Sequence, residues 1–176
     1  LDTYFGLQTN TLIYSFVSGL ALPLLGDSFA AYRVFSLIGG ILLLALLARR
    51  KMPFLVLIVG LNPLIWIYTG RALPELISVG LMLLAMDMPR SGIKAGLVGA
   101  LSAAIKPNSI VVCGSHWGVR WAHGLYKQRA LEWRDPILLA GVVAVAGFVV
   151  FLVAYYLATG VWIVPDKFQA GLAPSY

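Results

Sequence analysis

The sequence predicts an all-α fold, a polytopic bundle of transmembrane helices preceded by an interfacial amphipathic helix. Three observations carry that expectation. Apolar runs of helical length recur from residue 32 to residue 159, separated by short polar or basic breaks. Hydrophobic residues make up 60% of the 176 and charged residues only 11%, where a soluble domain carries about a quarter charged. Lys and Arg outnumber Asp and Glu by 13 to 7, and the excess sits between the apolar runs without an aromatic-interleaved basic groove. The net charge of +6 therefore points to membrane orientation, and no nucleic-acid partner is expected.

Residues 1–31 read as an extracytoplasmic loop with its interfacial helix. Leu12, Ile13, Phe16, Val17, Leu20 and Leu24 form an i, i+3, i+4 stripe, while Gln8, Asn10, Ser15 and Ser18 are polar. An ordinary first span is the competing reading of that stripe. Gly26, Asp27 and Ser28 end it. Residues 32–159 read as a bundle of about six helices, at 32–48, 53–68, 74–88, 92–105, 108–119 and 136–159. The breaks are Arg49-Arg50-Lys51, Thr69-Gly70-Arg71, Pro89-Arg90-Ser91, Lys106-Pro107 and a basic stretch over 120–135. Residues 160–176 open a second extracytoplasmic segment. A start at Leu1 and an end at Tyr176 are expected of a piece of a longer protein.

Alternating the sides of successive helices places Arg49, Arg50, Lys51, Arg90, Lys94, Arg120, Lys127, Arg129 and Arg134 together, on what the positive-inside rule makes the cytoplasmic face. Arg33, Arg71, Lys106 and Lys167 are left for the other side. Trp117, Trp121, Tyr126 and Trp133 flank the longest basic stretch as an interfacial belt does. The lone Cys113 excludes an intrachain disulfide, and His116 and His123 have no third metal ligand nearby in sequence.

Helix length narrows the search for a site. The last helix spans roughly 36 Å, while those at 74–88, 92–105 and 108–119 reach only roughly 18 to 23 Å against a ~30 Å hydrocarbon core. Helices that short, anchored at the cytoplasmic face, end in a recess on the other side. Arg71, Glu75 and Lys106 fall there, and charges at membrane depth commonly face a water-filled cavity. Glu75 lies in a first turn after Pro74, so a helix cap with Arg71 as partner is one reading and phosphate recognition by Arg71 the other. Lys106 is either a dipole-favoured C-terminal lysine or the ammonium that neutralises a lipid phosphate, with Asn108 capping the next helix and offering its amides. Gly92, Gly96, Gly99 and Ala103 mark one small-residue face and Ala140, Ala144 and Gly147 another, both read as helix contacts.

Three stretches resemble the GT-C superfamily of polytopic glycosyltransferases, which use polyprenyl-phosphate sugars. They are Asp2-Thr3-Tyr4-Phe5-Gly6-Leu7-Gln8 with the later Ala31-Tyr32-Arg33-Val34, then Asn62-Pro63-Leu64 to Leu76, and Ala103-Ala104-Ile105-Lys106-Pro107-Asn108. The resemblance covers most of the chain in layout through short, degenerate motifs. It implies an integral protein of a prokaryotic plasma membrane, similar to the protein mannosyltransferase and aminoarabinose transferase group. By position it makes Asp2 the catalytic base or, where a divalent metal serves as cofactor, its contact. Thr3 stands where the family often has a second acid. The implied reaction is inverting transfer from a polyprenyl-phosphate-linked sugar, with Arg71, Glu75, Lys106 and Asn108 at the donor phosphate. Two other classes stay open: a transporter or flippase that binds an anion at broken helices, and a non-catalytic membrane subunit. No soluble-hydrolase or nucleotide-triphosphatase motif is present.

Overall fold

The computed structural model describes residues 23, 24, 26, 28–63, 65, 67, 75–88, 91–128 and 135–159. Among these every regular element is helical: α1 (Ser28–Arg49), α2 (Pro53–Leu61), α3 (Glu75–Met86), α4 (Gly92–Ile105), α5 (Asn108–Gln128) and α6 (Pro136–Thr159). The all-α expectation holds. The interfacial helix, Asp2 and Arg71 lie outside the described residues.

Two boundaries depart from the sequence expectation. The helix expected over 53–68 stops at Leu61, where Asn62 adopts an extended conformation (φ −69°, ψ 116°). Pro63 follows, and its ring disfavours the α region for the residue before it. Pro63, Ile65 and Ile67 are helical again beyond this break. The helix expected over 108–119 instead continues to Gln128, for 21 residues. Arg120 and Lys127 are good helix formers, so the basic stretch prolongs α5 where it was expected to be a loop.

α1 ends in a left-handed residue, Lys51 at φ 57°, with the amides of Lys51 and Met52 donating back to the Ala48 and Leu47 carbonyls. That is a Schellman closure with lysine where glycine is usual. It sends the chain into α2 and leaves Arg50 at the helix end, where its guanidinium meets Asp87 at the end of α3, 2.7 Å from Nη2 to Oδ1.

Close helix approaches give the directions. A Cβ on Gly39 would run into the backbone of Ile77 and Leu76, and one on Gly80 would touch Leu42, so α1 and α3 run parallel. The small-residue faces of α4 and α6 meet: a Cβ on Gly92 would overlap the Pro136 carbonyl, one on Gly96 would stand 2.6 Å from Val143 Cβ, and Gly147 faces Ala100. These two helices are therefore parallel to each other, and antiparallel to α3, whose Ser78 touches Ser102 of α4. One end of the bundle thus gathers Arg49, Arg50, Lys51, Asp87, Lys94 and the start of α6. The other gathers Glu75 and Lys106.

The interior is small and partly polar. Ser36, Ser78, Ser102, Ala85, Ala103 and Ala144 are fully buried. Ala85, Ala95, Cys113, Trp117, Ala140 and Ala144 form one core among α3 to α6, and Leu43, Leu47 and Leu76 a second between α1 and α3. The outside is the reverse. Leu57, Leu61, Val111, Val150 and Leu157 each expose more than half their surface. Contiguous apolar surface on that scale marks a membrane or protein contact. Among the described residues, Pro136–Ala158 of α6 is long and apolar enough to cross a membrane, and only 11% of its most apolar window is buried.

Candidate functional site

Pro107 shapes the site locally. It forces Lys106 out of α4 into an extended conformation (φ −142°, ψ 105°), so the lysine side chain leaves the helix axis where α4 meets the first turn of α3. Glu75 opens α3, where a carboxylate is favoured by the helix dipole. Lys106 Nζ donates to Glu75 Oε1 at 2.7 Å, with both side chains 35% exposed. Glu75 Oε2 is buried and has no hydrogen-bond partner among the described residues. Glu75 and Lys106, expected to serve one site, are thus in contact. The expectation had paired Glu75 with Arg71.

Asn108 is placed differently from its expected capping role. It is the first residue of α5, exposed, and its side chain makes no hydrogen bond among the described residues. The amides of Ser109 and Ile110 donate to the carbonyls of Lys106 and Pro107 (2.9 and 3.1 Å). Two of the amides expected for an anion are therefore occupied by the turn itself.

Directly inward of the pair lies a serine cluster that the sequence reading passed over. Ser78 Oγ is 2.6 Å from Ser109 Oγ and 3.2 Å from Ser102 Oγ, and Ser102 donates to the Ser78 carbonyl at 2.8 Å. All three are buried, and together they tie α3, α4 and α5 beneath the charged pair. The signal was partial: Ser78 is three residues after Glu75 and Ser102 four before Lys106, spacings that share a helix face, while Ser109 lies beyond the Pro107 break on α5. Ser78→Ala removes the contacts of the Ser78 hydroxyl, leaving Ser102 on the Ser78 carbonyl, and should lower stability by about 1–2 kcal/mol, while exposed Ser115→Ala should leave it unchanged. Thermal unfolding of the purified protein in detergent reads the difference, and equal melting of the two variants would show the cluster to be energetically idle.

The depth of the pair follows from the packing register. Gly39 lies against Ile77, two residues into α3, so residues 28–36 of α1 reach roughly 13 Å past the start of α3. Gly147 lies against Ala100, which leaves residues 153–159 of α6 roughly 10 Å beyond the end of α4. Glu75 and Lys106 therefore sit at the floor of a step, below the ends of two longer helices.

This arrangement presents an ammonium with donors to spare beside a carboxylate, one oxygen of which has no partner among the described residues. It suits a ligand that carries both an anion and a hydrogen-bond donor better than a bare anion. Among the described residues no three His, Cys, Asp or Glu side chains converge, and Asp2, the expected metal contact, lies outside them. No family model, curated protein or solved structure matches the chain.

Proposed function

We propose that the chain belongs to an integral-membrane glycosyltransferase that moves a sugar from a polyprenyl-phosphate donor to an acceptor on the extracytoplasmic side. The observation that carries the reading is the Glu75–Lys106 pair at the recessed end of short helices, opposite the end that gathers Arg49, Arg50, Lys51 and Lys94. The apolar outer surface supports embedding in a bilayer. α1, at 22 residues, spans about 33 Å, which allows it to cross alongside α6. The basic end is then cytoplasmic and the recess opens outward.

In this reading Lys106, with Arg71, holds the donor phosphate while Glu75 accepts a hydrogen bond from a sugar hydroxyl. The Asp2 carboxylate takes the proton of the acceptor hydroxyl as its oxygen attacks the anomeric carbon. The bond from that carbon to the phosphate oxygen breaks, and the polyprenyl phosphate leaves with its charge met by the two cations. Asp2→Asn in the whole protein should lower transfer by about 10²–10⁴-fold, the usual worth of a general base, with expression in the membrane unchanged. The check is transfer from a radiolabelled polyprenyl-phosphate sugar, and undiminished transfer would remove Asp2 from the mechanism.

A further inference from the structure

A second charged cluster stands at the basic end, on the face of α5 turned toward α3. Ser109 of α5 touches Ser78 of α3, and Cys113, His116 and Arg120 follow Ser109 at i+4, i+7 and i+11, one stripe along the helix. The stripe is buried at Cys113, which shares a core with Ala85 of α3, and exposed at Arg120 and at His123 beyond it. Ser109 meets Ser78 at one end and His116 feels the Asp87 carboxylate at the other, so α3 and α5 run parallel. α3 ends at Met86 whereas α5 continues to Gln128, so α5 stands roughly 16 Å past the end of α3. The result is a notch. Its wall is the Arg120 and His123 side of α5, and its floor is where the ends of α1 and α3 meet.

Arg50 lies on that floor. Its Nε donates to Asp87 Oδ1 at 2.9 Å and its Nη2 stands 2.7 Å from the same oxygen, which leaves Nη1 without a partner among the described residues. The charges that act on His116 are those of Arg120, Arg50 and Asp87, so both guanidiniums gather about one imidazole. Only one of them has an acid. Asp87 serves Arg50, and Asp135, the other described acid at this end, accepts from the Ile137 amide at 2.7 Å. Positive charge orients a membrane protein wherever it sits along the cytoplasmic end. Orientation does not require that arginines from two helices converge on one notch with a single carboxylate between them.

We propose that this notch binds a phosphate group, held by Arg120 and by Nη1 of Arg50, with His123 at the rim. Phosphate carries the negative charge the cluster lacks, and its oxygens accept the paired donors of a guanidinium. It arrives either on the headgroup of an anionic lipid of the cytoplasmic leaflet or as a free ion. The notch lies at the opposite end of the bundle from the Glu75–Lys106 pair and does not depend on sugar transfer.

The test uses the whole protein in nanodiscs and two probes. In phosphatidylcholine nanodiscs, inorganic phosphate is titrated against sodium chloride of equal ionic strength while thermal unfolding is followed. In nanodiscs of equal phosphatidylglycerol and phosphatidylcholine, retained lipid is read by native mass spectrometry after detergent release. Stabilisation by phosphate beyond that by chloride assigns a free ion, and retention of phosphatidylglycerol over phosphatidylcholine assigns the headgroup. In whichever arm responds, Arg120→Gln should weaken binding about fivefold or more, the worth of one basic side chain at an anionic surface. Lys94→Gln is the control, because it removes an exposed cation from the same end but from α4. It should leave binding unchanged, and both variants should keep wild-type helicity by circular dichroism. Equal weakening by Lys94→Gln would overturn the proposal, since diffuse attraction to a basic surface does not distinguish the two positions. Absence of both responses would overturn it as well.

Discussion

Gly39→Ala should cost the protein about 3 kcal/mol or more and remove most folded material at physiological temperature. Overpacking costs typically about 1–3 kcal/mol when side chains can shift, and more when they cannot. Here the three atoms nearest the new Cβ are all backbone, Ile77 N, Ile77 Cα and Leu76 C, and no rotamer change relieves them. α1 would have to back away from α3 along its length, opening the Leu43, Leu47 and Leu76 contacts. Glu75 lies two residues from the point of collision, so its reach to Lys106 would be lost with the packing. Gly141→Ala is the matched control. Its Cβ meets open space, so helix propensity alone acts and stability should rise by up to about 1 kcal/mol. Thermal unfolding in detergent compares the two, and a Gly39→Ala protein that melts with the wild type would mean that α1 and α3 do not pack as described.

The outcome separates what the sequence could and could not reveal. The bounds of α4 are the ones expected, because Ser91-Gly92 and Lys106-Pro107 punctuate it with residues whose backbone preferences act locally. The alternation of helix directions is likewise a local inference, compounded turn by turn. Errors arose where a residue type was given a single meaning. Arg120 and Lys127 read as loop residues in sequence because charge ends a membrane run, although charge does not end a helix. Partner choice between helices is harder. Arg71 and Glu75 are four apart and invite pairing, and Arg71 lies outside the described residues; the described contacts come from far along the chain, Glu75 meeting Lys106 from 31 residues away and Arg50 meeting Asp87 from 37. Periodicity describes one helix at a time, and a contact between helices depends on which faces the glycines allow together. The Asp87 contact had no sequence signal at all, while the serine cluster had a partial one in its register with the charged pair.

Replacing Lys106 and Glu75 singly and together should reveal an asymmetric pair. Side chains 35% exposed lie between an open surface, where such pairs are worth about 0–1 kcal/mol, and a membrane interior, where one charge costs about 2.5–3.5 kcal/mol. A coupling of about 1–2 kcal/mol is expected for groups in direct contact here. Lys106→Ala should be the worse single change for stability. It leaves the carboxylate without its cation while its second oxygen is buried with no partner among the described residues. Glu75→Gln leaves a lysine whose four-carbon stem lets its ammonium rise toward water. Glu75→Gln with Lys106→Gln should recover much of the loss. The same variants separate structure from function. If Lys106 holds the donor phosphate, Glu75→Gln frees the ammonium and tightens polyprenyl-phosphate binding while transfer falls, because the hydroxyl exchanges a carboxylate for a weaker amide acceptor. Lys106→Ala weakens binding and transfer together. Donor affinity that tracks melting temperature across all three variants would make the pair a structural clamp between α3 and α4, and the phosphate would have to be met elsewhere.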